Sequence, residues 1–393
     1  MAQPPSFRRS QVAIAALFCF LGFQYGTWVS RLPALKTHLD LSTAEVGLLL
    51  LAPGIGAAVS FPLVAWAIKQ LGSRLLSIVS AFGLLAVLGA LAVTPNLVLA
   101  MVVLFLDGIL IACLNVGMNA QGAALEARSE RNTMALLHAL FSGGTFGAAL
   151  LASGVTVVTE SLPAHFAVAG VLLLALIAVS WTGTLTEDAP ATAAPEKEKK
   201  RRRWALPSLI VIWLCAAMVF TELTEGAMND WSALYLRDVT HAAPSVTPLG
   251  IATVSGTMVL ARLFVDRWRA RWGDKRVVLS GTVLAAAGLG GALLLGGWIP
   301  ALIGFACVGL GMAAVTPCIY VAAARTGPEG LALVASMGTV GLLAGPPLIG
   351  VVASFSNLVW GMTVVVAAIV LIGLSVIQIR FAPAAEPAEP VSA

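Results

Sequence analysis

The sequence predicts an all-α membrane protein, with twelve transmembrane helices arranged as two pseudo-symmetric six-helix bundles. Three observations carry that expectation. Of 393 residues, 59% are hydrophobic and only 11% charged, against roughly 45–50% and about 25% in ordinary soluble domains, which excludes a soluble enzyme. The apolar residues gather in twelve runs of about the 20 residues that a helix needs to cross hydrocarbon. Shifting the sequence by 203 positions lays Trp28 on Trp231, Ser42 on Ser245, Gly47 on Gly250, Gly108 on Gly311, Met134 on Met337 and Gly147 on Gly350. Such parallel halves are a recurring construction of membrane proteins.

Bounded by charges, Pro or Asn, spans 1 to 6 fall near 11–31, 44–68, 75–94, 97–121, 133–157 and 166–183. Spans 7 to 12 fall near 207–234, 246–265, 277–298, 301–324, 331–354 and 360–379. Arg8 and Arg9 before span 1 give it the look of a leader peptide. Its apolar run is longer than a leader core, however, and eleven spans follow, so it is read as the first retained helix. The expected organisation is an N-terminal bundle over 1–183, a charged linker over 184–206, a C-terminal bundle over 207–382 and a flexible tail over 383–393. The linker ends in the run Glu196-Lys197-Glu198-Lys199-Lys200-Arg201-Arg202-Arg203.

An even number of spans puts both termini on one side. Of the 23 basic residues, all but Arg31, Lys36 and Arg237 fall on the side of the termini and linker. Basic residues concentrate in cytoplasmic loops, so termini and linker are expected in the cytoplasm of a multi-pass plasma-membrane protein, the inner membrane in a Gram-negative cell. The net charge of +4 thus reports orientation rather than a nucleic-acid partner. Cys19, Cys113, Cys215, Cys307 and Cys318 lie in apolar runs with no paired spacing and read as core residues.

This layout resembles the major facilitator superfamily, whose short signature lies after helices 2 and 8. The loop Asp266-Arg267-Trp268-Arg269-Ala270-Arg271-Trp272-Gly273-Asp274-Lys275-Arg276 is similar to the family's D-R-x-x-G-x-R pattern with a short insertion. The first-half loop, Lys69-Gln70-Leu71-Gly72-Ser73-Arg74, keeps the glycine but puts lysine in place of the acid. The resemblance therefore implies a gating role for Arg262, Asp266 and Arg267, with an Asp-mediated lock in the second half alone. The acid in span 4 and the asparagines after it are most similar to the proton-coupled fucose-permease-like branch. That branch has an acid in helix 1 as well, where this chain has Gln24, Tyr25, Trp28 and Arg31.

An ionisable group in hydrocarbon costs several kcal/mol and marks a functional candidate. Asp107 lies about midway through span 4, and Glu222 and Glu225 lie in span 7. Spacings of three and four place Glu222, Glu225 and Asn229 on one helical face, where two neighbouring acids in a low dielectric cannot easily both ionise. All three acids are candidates for proton coupling, the alternative being structural pairing with an interhelical Ser, Asn or Arg. Asp230 reads as a solvated or capping residue near the rim, and Arg31 as a partner for Glu45 or Asp230.

Substrate-binding candidates are Gln24, Tyr25, Trp28, Asn115, Asn119, His138, Asn229 and Trp231. Asn115 and Asn119 read either as a polar path or as bonds between helices, and His138 as a proton relay or a satisfied core histidine. Trp28 and Trp231 read as interface anchors or as flat faces for a sugar or aromatic solute. The pairs Gly22/Gly26, Gly143/Gly147 and Gly341/Gly345 are packing motifs. No metal, phosphate-loop or nucleophile motif occurs, so neither enzymatic activity, a catalytic residue, a metal nor a cofactor is expected.

The implied activity is alternating-access transport of a small polar organic solute, a sugar or related compound first, by proton-coupled symport. The expected partners are that solute, protons and membrane lipids, with the chain a monomer. A proton-driven exporter of drugs or amphipathic metabolites and a non-transporting sensor remain open.

Overall fold

A computed structural model describes residues 6–129, 133–186, 208–379 and 381. The expected linker from 187 onward and the tail at 383–393 lie outside them. The described residues form helices α1 Phe7–Ser30, α2 Leu32–His38, α3 Thr43–Val59, α4 Phe61–Leu91, α5 Leu97–Ser129, α6 Met134–Val158 and α7 Leu162–Gly183. The second half supplies α8 Leu209–Asp238, α9 Leu249–Trp272, α10 Asp274–Leu295, α11 Trp298–Met312, α12 Val315–Ala324, α13 Pro328–Phe355 and α14 Leu358–Gln378. Among the described residues eleven helical spans are long and apolar enough to cross a membrane, α11 and α12 counting together as one, or twelve when α2 and α3, bent by 119°, also count as one.

Departures from the expected spans have local causes. Pro62 lacks an N–H and crowds the carbonyl four residues back, and expected span 2 divides at Ser60 between α3 and the start of α4. Gly72, at φ 72° and ψ 165°, then turns the chain, so the remainder of α4 is span 3. Gly273, at φ 80° and ψ 152°, makes the matching turn between α9 and α10. Both need a backbone region that side-chain-bearing residues rarely adopt. Pro317 splits span 10 into α11 and α12 in the same way as Pro62. Helix α2, which the span analysis does not anticipate, starts with a proline in its first turn. The Ser42–Glu45 capping box starts α3, and the Asn357 side chain caps α14.

The two halves pack alike. Helix α1 lies against α6 and α7 as α8 lies against α13 and α14, and α5 packs on α3 and α4 as α11 packs on α9 and α10. The halves meet through α3 with α13 and through α6 with α9, contacts that the 203-residue shift exchanges. Large apolar side chains cover the outside: Val171, Leu263, Val283 and Ile303 are 60–69% exposed, a surface suited to hydrocarbon rather than water.

Candidate functional site

Helix α1 runs from the face holding the chain's start, the near face, to the opposite, far face. Between the halves, the far face is closed. Lys36 Nζ lies 2.5 Å from an Asp238 oxygen. Arg237 donates to the Pro33 carbonyl and, at 2.6 Å, to Thr37 Oγ1. Ser153 donates to the Ser245 carbonyl at 2.5 Å. At the α3–α13 crossing, a Cβ on Gly47 would lie 3.2 Å from Gly350 Cα and 3.2 Å from the Pro346 carbonyl oxygen, so backbone rests on backbone. Toward the near face, Asn115 and His138 are exposed, and Tyr320 is 37% exposed.

Two polar clusters occupy the centre. The first is sealed. Gln24 on α1 donates through Nε2 to Asp107 Oδ1 on α5 at 2.9 Å, and both residues are fully buried. Beside them Tyr25 donates to Asp230 Oδ1 on α8 at 2.8 Å, a bond between the halves. The Tyr25 ring meets Trp28 edge-on at 5.7 Å. Asp107 Oδ2, Gln24 Oε1 and the indole nitrogens of Trp28 and Trp231 are buried with no hydrogen-bond partner among the described residues.

The second cluster is only partly buried. Glu225 on α8 accepts from Thr316 on α12 at 3.3 Å, and its other oxygen lies 3.9 Å from Arg262 on α9. Arg262 also donates to Ser142 Oγ on α6 at 3.2 Å. Side-chain exposures of 22% for Glu225 and 33% for Arg262 put this pair between bulk water and core. Glu222, one turn earlier on α8, lies against Gly338 of α13 and within electrostatic reach of Tyr320 on α12. His138 on α6 meets Phe18 edge-on at 5.1 Å and stands within electrostatic reach of Arg262.

Several sequence expectations need correction. Asp230 is 6% exposed and bonded by Tyr25, not solvated: it stands 100° round α8 from Asn229 and so faces α1. Arg31 pairs with neither Glu45 nor Asp230 but donates to the Glu160 carbonyl, while Glu45 caps Ser42. Trp28 and Trp231 are 2% and 0% exposed, so they anchor no membrane surface. Asn119 bonds Asn115 along its own helix, at 2.6 Å to the side-chain oxygen, rather than reaching another helix. His138 is exposed rather than a satisfied core histidine.

The gating residues separate as well. Asp266, with a side chain 94% exposed, meets Arg269 of its own helix at 3.3 Å, and Arg269 is held by Asp274 at 2.9 Å, so in this conformation Asp266 locks nothing across the halves. Arg267 is exposed beside it. Arg262 belongs instead with Glu225 and Ser142. Asn229 is half-buried one turn beyond Glu225. Thr316 and Tyr320 escaped the sequence reading, although their spacing of four in span 10 puts them on one face.

The family model described as Major Facilitator Superfamily matches residues 12–329 and again 225–393. The chain belongs to the major facilitator superfamily. Among superfamily relatives, it is 31% identical over 358 residues to the uncharacterized transporter y4wD of Sinorhizobium fredii, covering 88% of this chain and 91% of that one. An uncharacterized MFS-type transporter of Yersinia pestis is 30% identical, covering 88% and 90%. Membrane protein MosC of Rhizobium meliloti is 29% identical, covering 89% and 85%. The family and these relatives make the chain a multi-pass membrane transporter rather than an enzyme. Two solved structures share the fold: the nucleoside transporter NupG, with TM-score 0.70, 14% identity and coverage of 95% and 98%, and a D-xylose–proton symporter, with TM-score 0.71, 14% identity and coverage of 93% and 97%.

Proposed function

We propose that this superfamily member is a proton-coupled symporter that brings a small polar organic solute, a sugar or related polyhydroxylated compound first, across the plasma membrane by alternating access. It acts as a monomer in the lipid bilayer, with the near face and both termini in the cytoplasm, and its 1–183 and 207–382 bundles rock about the central site. The observation that carries the reading is the Glu225–Arg262–Ser142 chain: a titratable carboxyl, open to the near face, acts on a guanidinium that also holds the opposite half. Protonating Glu225 removes the charge that draws Arg262 toward α8 and leaves the arginine to Ser142 and the cavity, so proton binding is felt at the α6–α9 seam.

Glu222 shares that proton site, because two acids one turn apart with a single cation nearby repel when both are charged. Asp107, bonded among the described residues by Gln24 alone, is a further coupling acid. The solute would lie toward the near face, its hydroxyls taken by Asn115, Asn119, Asn229 and His138. Gln24, Tyr25, Trp28 and Trp231 would form the sealed wall above it. That the fold is shared with nucleoside and xylose–proton transporters supports a hydroxyl-rich solute.

The test is uptake of labelled sugars and polyols by proteoliposomes with and without an inward proton gradient. The gradient should raise accumulation of the true substrate, and Glu225→Gln and Asp107→Asn should remove the gradient-dependent part. Equal uptake in all cases overturns the coupling.

A further inference from the structure

We propose that Asp230 and Tyr25 form a proton-operated latch of the far face: Asp230 takes up the proton that accompanies closure, and Tyr25, donating from the opposite half, holds the Asp230 carboxyl in the seal. This deepens the proton-coupled reading and rests on it. That reading uses Glu222, Glu225 and Asp107, whereas the carboxyls that directly bridge the halves are Asp238, part-exposed and held by Lys36, and Asp230, which is buried. Tyr25 Oη on α1 and Asp230 Oδ1 on α8 are 2.8 Å apart, they belong to opposite halves, and any separation of the far face must break the bond. Asp230 is 6% exposed, so opening that face also hands it to water.

Among the described residues, no cation is paired with Asp230. On its own helix, Arg237 and Asp238 lie two turns outward and bond each other at 2.6 Å. From α2, Lys36 is committed to Asp238. From α1 come Tyr25 and the neutral Gln24, and from α5 the acid Asp107, which also acts on Tyr25. Helices α11 and α14 carry no charged residue, α12 contributes only Cys318 and Tyr320, and the one acid of α13, Glu329, is at its opposite end. Arg262 of α9 faces Glu225. A carboxylate sealed here would keep one neutral donor and lose its water, whereas the neutral acid loses far less. Closing the far face is therefore favoured by a proton on Asp230, and opening it lets that proton exchange with the outside.

Distances between spin labels at Ala34→Cys and Ala243→Cys test this, measured by electron double resonance on the full chain in lipid nanodiscs with the five native cysteines replaced. In the parent protein the closed, short-distance population should grow as pH falls, by at most about tenfold per pH unit for one proton. Asp230→Asn, whose amide oxygen still accepts from Tyr25, should lose this pH response. Tyr25→Phe should keep the response and lose closed population most at alkaline pH, where the anion has lost its one donor among the described residues. If Asp230→Asn keeps the parent's response while Asp107→Asn or Glu225→Gln removes it, the latch is overturned and proton coupling stands. If the parent shows no response, both fall. Should Asp230→Asn not fold, a pH-independent loss in Tyr25→Phe overturns the latch.

Discussion

The most direct probe of the closed far face is Gly47→Val. A β-carbon at position 47 would lie 3.2 Å from Gly350 Cα, 3.2 Å from the Pro346 oxygen and 3.4 Å from Pro347 Cα. All three are backbone atoms that cannot rotate aside, and all lie inside the roughly 3.5–4.0 Å of ordinary carbon contact. Alanine needs a shift of a few tenths of an ångström. Valine adds two more methyl groups, and overpacking of that kind costs about 1–3 kcal/mol. The strain exists only while α3 and α13 touch, so it is relieved by opening. At about 1.36 kcal/mol per tenfold, the closed-to-open ratio should fall by about 5- to 160-fold. The same spin-label pair across the far face reads this as a longer-distance population. Gly154→Val on α6, where a Cβ meets nothing within 4 Å, is the control and should leave the distribution alone. An unchanged distribution in Gly47→Val would refute the claim that this crossing sets the closed state.

Two further outcomes separate packing from function. Gln121→Ala should lower thermal stability by about 1–3 kcal/mol per stranded group, because Gln121 donates to Ser73 at 2.7 Å and to the Leu185 carbonyl at 3.0 Å and accepts from Leu185 N–H at 2.8 Å; an unaltered melting temperature would show that the clamp on the end of the first half is weak. Trp28→Ala should cost about 3–5 kcal/mol and Trp28→Phe clearly less, since the phenyl ring keeps most of the buried contact and the indole nitrogen has no partner to lose among the described residues; loss of uptake in a Trp28→Phe variant of intact stability would require a solute contact at the indole.

Much of the fold is legible because a bilayer demands it. Spans of about 20 apolar residues, basic loops on one side and the Trp28/Trp231 register are written residue by residue. Local breaks were harder: Pro62, Gly72 and Pro317 were visible as residues, but whether each kinks, turns or divides a span depends on what surrounds it. The candidate site was legible as a set of costly residues and not as an arrangement. Asp107, Glu222 and Glu225 stand out because hydrocarbon penalises them, and Asn115 and His138 are exposed in the structure. Their grouping was hidden. Arg262 looked like part of a loop signature, yet meets Glu225 and Ser142; Asp230, one residue from Asn229, turns to the other half.

Thus the membrane-spanning helices and the fold class were legible in the sequence, since the hydrophobic effect and backbone hydrogen bonding act on each span by itself. Which acids pair, which face is closed and which groups meet water were decided only by tertiary structure. Those depend on residues some 200 positions apart, Tyr25 with Asp230 and Gly47 with Gly350, and on a rotation of 100° per residue that no linear spacing assigns to a particular neighbour.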